Sequence, residues 1–445
     1  MGSKRSLPAC LELARLACRE ARRAGADAAE CSAGGGRSVE AELEESRLKG
    51  TSCHAGQSLS VRAYRRGGRG SFVAHELTET SARAAGRRAA ELATAATPDP
   101  HWKRLPGPRK AAEVTGLYDR RLADPRPELV LGLAEELLGR ARAEAPGCKV
   151  SGTVSVTASR AAFANSRGVT CTTRGTSLSA GCLAVVRRNG KHGSFYDFDM
   201  GRRLRDVDVP PVGASAARGA VRYLGGKSLP SGEMPVVLGP LAAAALIEAV
   251  VASASAENIQ RRRSFLVGKL GKRIASKHLT VVDDGLVPAG IYSSPTDSEG
   301  VPRERLTVIE RGVLRCLLHN TYTAGKARTR SNGHCAGAGC APTNLRPVLG
   351  DATAEEIVAD VKRGLFINSA SIAPNASSGD VSAMVDFGLA IENGRLGAPV
   401  ANVNIGGHVF DLLAAVDAVS SDCREEPGCL LPTVRIAKAH VSGSG

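Results

Sequence analysis

The chain has 445 residues, of which 43% are hydrophobic and 23% are charged, and its formal net charge is +15 at pH 7. This composition is typical of a globular protein of two or three domains, and it excludes a disordered or fibrous chain. No uninterrupted apolar run approaches the roughly 18 residues of a membrane-spanning helix, so no membrane span is expected.

Helices and strands follow one another in blocks in the first half of the chain. An amphipathic helix is predicted over residues 5–24, where charged residues interrupt any secretory signal pattern. Apolar and polar residues then alternate, which predicts antiparallel strands with a hairpin turn at the RRGG of residues 65–68. The remaining predicted elements of this half are helices at 79–96 and 127–145, strands over 149–200, and a helix near 212–224.

The second half opens with a strand at 234–239 and an apolar helix that begins at 241. Further predicted elements are short strands up to residue 324, a helix at 353–363, strands over 364–407, a helix around 409–419 and a final strand from 433. This order predicts an α+β fold, because no βαβ alternation with a dinucleotide-binding fingerprint occurs. We predict two domains: residues 1–228, with helices packed on an antiparallel sheet, and residues 229–445, dominated by antiparallel β-sheet.

Twelve cysteines are scattered without regular spacing. Together with the missing secretory pattern, this predicts reduced thiols and a cytoplasmic protein. The segment HCAGAGC, with His334, Cys335 and Cys340, offers three zinc-binding side chains, but nothing nearby completes a four-ligand set, so we interpret it as a flexible loop. MGSKRS fits the loose acylation pattern at Gly2, and no second anchoring signal accompanies it.

The positive net charge raises the alternative of nucleic-acid binding. Arginine and lysine are spread along the chain, with only short runs such as residues 261–263, and aromatic residues make up 3%. Stacking platforms for single strands are therefore scarce, and a solvated basic surface is the simpler interpretation.

Seven phrases in fixed order resemble the TldD/PmbA (TldE) family, and they extend over nearly the whole chain. They are VRAYRRGGRGSFVAHEL (61–77), RSFLVGKLGKRIAS (263–276), TVVDDG (280–285), the segment 295–324 that begins PTDSEG, APTNLRPVLGD (341–351), GLFIN (364–368), and the segment 377–407 that begins SSGDVS. The resemblance implies a two-domain cytoplasmic protein that dimerises, with itself or with a TldD-like chain, around a cavity where a zinc protease cuts unfolded peptides.

In the TldD branch of that family, the zinc site is an HExxxH helix. Two histidines and a cysteine near the C-terminus bind the metal, and the glutamate is the general base. The corresponding frame here is IEAVVA, with Ile247 and Ala252 at the histidine positions and Glu248 at the glutamate position. The chain therefore resembles the PmbA (TldE)-like branch that lacks the motif. We expect no metal in this chain and zinc in a TldD-like partner.

The resemblance also suggests site residues, each with a simpler alternative. Glu248 is a remnant of the general base, or a carboxylate that pairs with an arginine at 261–263 or reaches solvent. Cys429 is the nearer match to the cysteine ligand, or an ordinary thiol. Family loops that face the cavity correspond to segments carrying Asn344, Asp380 and Ser382, and His408 lies in a nearby phrase. These four residues are predicted substrate or partner contacts; the alternatives are turn stabilisation and a hydrogen-bonded core histidine.

The leading hypothesis is a non-catalytic PmbA/TldE-type subunit that pairs with a TldD-like zinc metallopeptidase acting on unfolded peptides or peptide-like amides. A second hypothesis is a free-standing amide hydrolase of a natural-product pathway that uses a different site. A third is a basic nucleic-acid-associated protein, suggested by the charge and by the family's historical link to gyrase modulation.

Overall fold

The computed structural model describes residues 6–443, which form two β-rich units. Gly2, where the loose acylation pattern falls, lies outside the described residues. Between residues 6 and 443, no helix is both long and apolar enough to cross a bilayer. The predicted α+β fold with largely antiparallel sheets is confirmed. The division into domains at residues 228 and 229 stays a prediction.

The first unit is a six-stranded antiparallel sheet with unusually long strands, in the order β3-β2-β1-β4-β5-β6. Its strands are β1 (Ala28–Glu44), β2 (Arg47–Arg65), β3 (Gly68–Ala74), β4 (Lys149–Asn165), β5 (Thr170–Arg188) and β6 (Lys191–Gly201). The turn between β2 and β3 is the predicted one: Arg66 and Gly67 both adopt positive φ, which suits the twist of a two-residue hairpin.

Four helices cover one face of this sheet in two pairs. They are α1 (Leu7–Arg23), α2 (Glu79–Ala95), α3 (Pro127–Glu144) and α4 (Val209–Arg222). Helix α1 begins where the Ser6 side chain accepts a bond from the Ala9 amide, and α2 begins at Thr78, which caps it in the same way. Gly86 lets α1 and α2 approach closely, because a Cβ there would lie 2.4 Å from the Ala17 carbonyl oxygen.

The second unit holds the remaining elements. Its helices are α5 (Pro240–Ser253), α6 (Ala256–Gln260), α7 (Thr321–Ala327), α8 (Ala354–Ala359) and α9 (Val409–Ala414). Its strands are β7 (Gly232–Leu238), β8 (Val281–Asp284), β9 (Arg305–Glu310), β10 (Val313–Leu314), β11 (Cys335–Ala336), β12 (Gly339–Cys340), β13 (Leu345–Pro347), β14 (Arg363–Ala370), β15 (Asp380–Glu392), β16 (Arg395–Val400), β17 (Val403–His408), β18 (Val416–Glu426) and β19 (Cys429–Gly443).

Five strands of this unit close into a ring. β14 pairs with β7 in parallel and with β15 antiparallel, while β7 continues through β19 and β17 back to β15. β16 and β18 extend β15 and β19 at the margins of the ring. The ring and α5 bury a shared apolar core.

One predicted helix is corrected by the structure. The helix expected around 409–419 ends at Ala414, and residues 416–426 form β18 instead. Val416 and Val419 pair with Ile436 and Val434 of β19. β-Branched side chains favour this pleated, half-buried surface over continuation of a short helix.

Candidate functional site

Helix α5 presents the frame that corresponds to the zinc motif. It follows β7 directly, with Pro240 in the first turn, and it buries most of its length against β7, β14 and β19. Ile247 is 5% exposed and belongs to the core, whereas Glu248 points to the surface. Glu248 is exposed, and within residues 6–443 no arginine forms an ion pair with it; Arg261 pairs with Glu257 instead at 2.8 Å.

A small cavity of about 60 Å³ joins this helix to the start of β19. Ile247, Glu248 and Cys429 line it together, and Tyr292 and Leu345 are among the other lining residues. The resemblance predicts that Glu248 and Cys429, which are 181 residues apart in the sequence, belong to one site. In the structure both residues line this cavity. Ala252 does not line this cavity.

Burial favours the protonated forms of two groups in this cavity, the Cys429 thiol and the Tyr292 hydroxyl. Burial raises the pKa of the Cys429 thiol to about 11, and the carboxylates of Glu426, Glu248 and Asp283 act in the same direction. Burial also raises the pKa of the Tyr292 hydroxyl, again with Glu248 contributing. Because the thiolate is the form that binds metals and attacks carbonyls, the Cys429 thiol is poorly prepared for either role at neutral pH.

The donor set of the cavity does not fit a zinc ion. Ile247 has no lone pair to give, Ala252 is elsewhere, and Glu248 and Cys429 are the lining side chains of kinds that commonly bind zinc. Across the described part of the chain, no group of three or more His, Cys, Asp or Glu side chains is arranged to hold a metal ion. The residues of the α5 cavity therefore support no catalytic step through such a metal.

A second set of predicted residues gathers where β15 and β17 pair. Asp380 lies opposite His408, and Ser382 lies two residues further on the same exposed face of β15. Asp380 accepts a 2.6 Å bond from the Ser378 hydroxyl. This end of the strand pair therefore presents a carboxylate and a hydroxyl to solvent.

Both ring nitrogens of His408 are already used. Nδ1 accepts a bond from the Phe410 amide at 3.2 Å and caps α9, so Nε2 carries the proton and donates to the Ser378 carbonyl oxygen at 3.0 Å. These bonds fix the orientation of the ring, and substrate contact by His408 stays a prediction.

The structure places Asn344 differently from the predicted substrate contact. Its side chain is fully buried; its amide nitrogen donates to the Asp284 carbonyl at 2.6 Å and to the Ser293 hydroxyl at 2.8 Å, and its amide oxygen accepts from the Tyr292 amide at 3.0 Å. Both donors of the amide nitrogen are used and the side chain is buried, so it is not available to a substrate. Asn344 instead ties β13 to the segment that carries Tyr292, at the edge of the α5 cavity.

The segment 334–340, which we predicted to be a flexible loop, is also different in the structure. Residues 335–340 form the hairpin β11–β12, in which Cys335 and Cys340 pair across the strands. His334 is fully buried, with Nδ1 at 2.9 Å from the Asn332 carbonyl and Nε2 at 3.2 Å from Asp283. Both ring nitrogens of His334 therefore have protein partners, and these contacts fix the start of the hairpin.

Comparison with known proteins agrees with the fold. Residues 120–224 match the PmbA/TldA metallopeptidase central domain, and residues 231–443 match the PmbA/TldA metallopeptidase C-terminal domain. Metalloprotease PmbA of Escherichia coli O157:H7 is 30% identical over 285 residues, which cover 62% of each chain. A metalloprotease of Methanothermobacter thermautotrophicus is 32% identical over 230 residues, 50% of each chain. These alignments thus span about half to two thirds of the curated relatives.

Solved structures match over almost the full length. TldE from Thermococcus kodakarensis superposes with a TM-score of 0.89 at 22% identity, covering 97% of this chain and 100% of that one. A putative modulator of DNA gyrase from Thermotoga maritima gives a TM-score of 0.87 at 24% identity, covering 97% and 99%. At such identities, the likeness establishes the fold. Taken with the two matched domains, it follows that this chain belongs to the PmbA/TldD family.

Proposed function

We propose that this chain is a non-catalytic PmbA/TldE-type subunit, which pairs with a TldD-like zinc metallopeptidase to enclose a cavity that cleaves unfolded peptides or peptide-like amides. The observation that carries the proposal is the α5 cavity, where the family's zinc helix presents Ile247 in place of a ligand. In this arrangement, the metal and the general base belong to the partner, and the protein acts in the cytoplasm.

Exposed apolar side chains support an assembly. Tyr292, which lines the α5 cavity, and Val348, which follows the lining residue Pro347, are 55% and 53% exposed. Leu270 and Met384 are 53% and 64% exposed. Tyr292 and Val348 are therefore candidates for a surface that a partner covers. A partner seated there would close the cavity from the outside.

The α5 cavity does not support a free-standing amide hydrolase. Such an enzyme needs an activated nucleophile, and the Cys429 thiol, with its pKa raised to about 11, is protonated at neutral pH. Of the described residues that line its cavity, none is a histidine that could serve as a base.

Co-expression tests the proposal. This chain is purified by its own tag after expression with the TldD-like chain of the same genome, and zinc is measured in each separated species. We expect a stoichiometric complex, zinc that follows the partner, and peptide cleavage by the pair alone. Replacing the glutamate of the partner's HExxxH by glutamine should keep the complex and abolish cleavage. Zinc-dependent cleavage by this chain alone would contradict the proposal.

Substrate contacts are tested in the same complex. Asp380→Ala combined with Ser382→Ala should raise KM for a peptide several-fold with an unchanged melting temperature, because both side chains are exposed at the end of β15. Glu392→Ala, an exposed carboxylate at the opposite end of that strand, is the control. An unchanged KM in the double variant would remove the binding role.

A further inference from the structure

A cleft of about 310 Å³ lies between the two units and shares no residue with the α5 cavity. On one side, it is lined by the end of β2, with Arg62 and Tyr64, and by residues 96–105. On the other side, it is lined by α6, by the start of α7 and by the β11–β12 hairpin. The Tyr322 hydroxyl donates to Asp99 across it at 2.8 Å.

Unsatisfied polar atoms concentrate at this cleft. Among residues 6–443, two buried side-chain polar atoms have no hydrogen-bond partner: Glu30 Oε2 and Thr321 Oγ1. Thr321 lines the cleft, and Glu30 is bound to two residues that line it, Arg62 at 2.8 Å and Tyr64 at 3.1 Å. Leaving a buried polar atom unpaired is costly, so one such atom in the cleft wall and one directly behind it indicate a missing bonding partner.

Glu299 connects these two atoms. It lines the cleft, its carboxylate accepts a 2.8 Å bond from the Thr321 amide, and its charge acts on Glu30. Burial, with a smaller contribution from Glu299, raises the pKa of Glu30 to about 7 and that of Asp297 to about 6, while Arg62 opposes the shift at Glu30. Glu299 therefore gives this part of the cleft an acidic group, and burial favours the protonated forms of Glu30 and Asp297 nearby.

The outer end has the opposite sign. Its exposed cationic side chains are Arg69, Lys103, Arg104 and Arg261, of which Arg261 pairs with the lining residue Glu257 at 2.8 Å. Between the ends, Tyr64 stacks on Trp102 with ring centroids 4.5 Å apart and an angle of 13° between the rings. The cleft thus has an acidic interior, an aromatic wall and a basic rim.

We propose that this cleft binds a free amino acid or short peptide in its zwitterionic form. The α-ammonium group donates to the Glu299 carboxylate and the Thr321 hydroxyl, with Glu30 behind them, and the carboxylate faces the basic rim. A phosphorylated ligand is disfavoured because the interior carboxylates would repel it. A bare metal ion lacks a suitable ligand group among the described residues. The site is independent of the proposed pairing because all of its residues belong to this chain.

Calorimetric titration of the purified chain with the dipeptides Gly-Gly, Ala-Ala and Ala-Phe tests the site. We expect at least one to bind, with affinity reduced at least tenfold when its amino group is acetylated and reduced less when its carboxylate is amidated. Binding of none of the three, as when ordered water fills the cleft, would overturn the proposal. Equal binding of the acetylated form would overturn it as well.

Two variants locate the binding. Thr321→Val and Glu299→Gln should each weaken the dipeptide at least tenfold. Thr321→Val should leave the melting temperature unchanged or higher, because it removes an unsatisfied hydroxyl. Thr153→Val and Glu113→Gln, both at exposed positions outside the cleft, are matched controls. Wild-type affinity in both cleft variants would contradict the assignment.

Discussion

At the scale of single residues, Glu30 combines deep burial with incomplete bonding. It lies opposite Arg62 in the pairing of β1 with β2, and 2% of its surface is exposed. The pKa of Glu30 is raised from 4.5 to about 7, chiefly by burial. Because the folded state holds this proton more tightly than the unfolded state, Glu30 costs stability progressively as the pH rises from about 4.5 through 7.

Glu30→Gln should therefore remove this pH-dependent loss of folding stability. Relative to wild type, the variant should gain about 2–3 kcal/mol more in unfolding free energy at pH 8 than at pH 5, since each pKa unit corresponds to about 1.4 kcal/mol. Denaturant unfolding at the two pH values measures this. Glu113→Gln, exposed, should show no such difference. A pH-independent effect of Glu30→Gln would contradict the raised pKa.

Asn344→Ala should destabilise the protein by about 2–4 kcal/mol, because three hydrogen bonds of a fully buried side chain are lost and their partners remain buried. The expected signature is a lower melting temperature, with peptide cleavage by the two-chain complex falling only in proportion to the folded fraction. Lost cleavage at an unchanged melting temperature would return Asn344 to the substrate contacts.

At the scale of elements, local signals were sufficient for most helices. The predicted helices at 79–96 and 127–145 match α2 and α3 within one residue, because Thr78 caps the first and Pro127 begins the second. The helix around 409–419 was wrong at its end, since pairing with β19 over a long sequence separation decides the structure of residues 416–426. The local sequence of residues 416–426 does not predict that they pair with β19.

The Glu30–Arg62 pair was missed for a related reason. The turn between β1 and β2 pairs Glu44 with Arg47, and counting back from it would place Glu30 opposite Val61. The register shifts by one residue between Glu42 and Leu43, which brings Arg62 opposite Glu30. A one-residue shift in strand register changes which side chains lie opposite each other, and no local sequence pattern predicts this shift. The α5 site was accessible to sequence reasoning through the family motif alone.

Helix α5 itself can be tested by restoring ligands. We expect the wild-type chain to bind no stoichiometric zinc at residues 247–252, and Ile247→His with Ala252→His to create at least a weak site that also depends on Cys429, the thiol in the same cavity as residue 247. Metal analysis after dialysis measures this, with Cys429→Ser added as the control. Zinc bound between α5 and Cys429 in the wild type would overturn the expectation.

At the scale of the whole molecule, the C-terminal unit should provide the assembly surface. We expect a dimer, with the TldD-like chain or with itself, that buries more than the roughly 1,000 Å² of a specific interface. Leu270→Glu should weaken it at least tenfold in sedimentation, because a charge replaces an apolar side chain that is 53% exposed. Leu48→Glu, at a position 45% exposed in the N-terminal unit, is the control. A strict monomer even with the partner present would remove the cavity model.

The closed ring of the C-terminal unit also constrains how the chain folds during synthesis. β7 pairs with β19, so residues 232–238 wait for residues 434–441 before the ring can close, while every strand of the first sheet is complete by Gly201. We therefore expect the N-terminal unit to fold during translation, before the C-terminal unit is complete. The apolar strands of the C-terminal unit stay accessible to chaperones until residue 441 has been translated. Ribosome-stalled chains ending at residue 428 should resist protease up to about Arg222 and be cut beyond it; protection of the second half in such chains would show that the ring is dispensable.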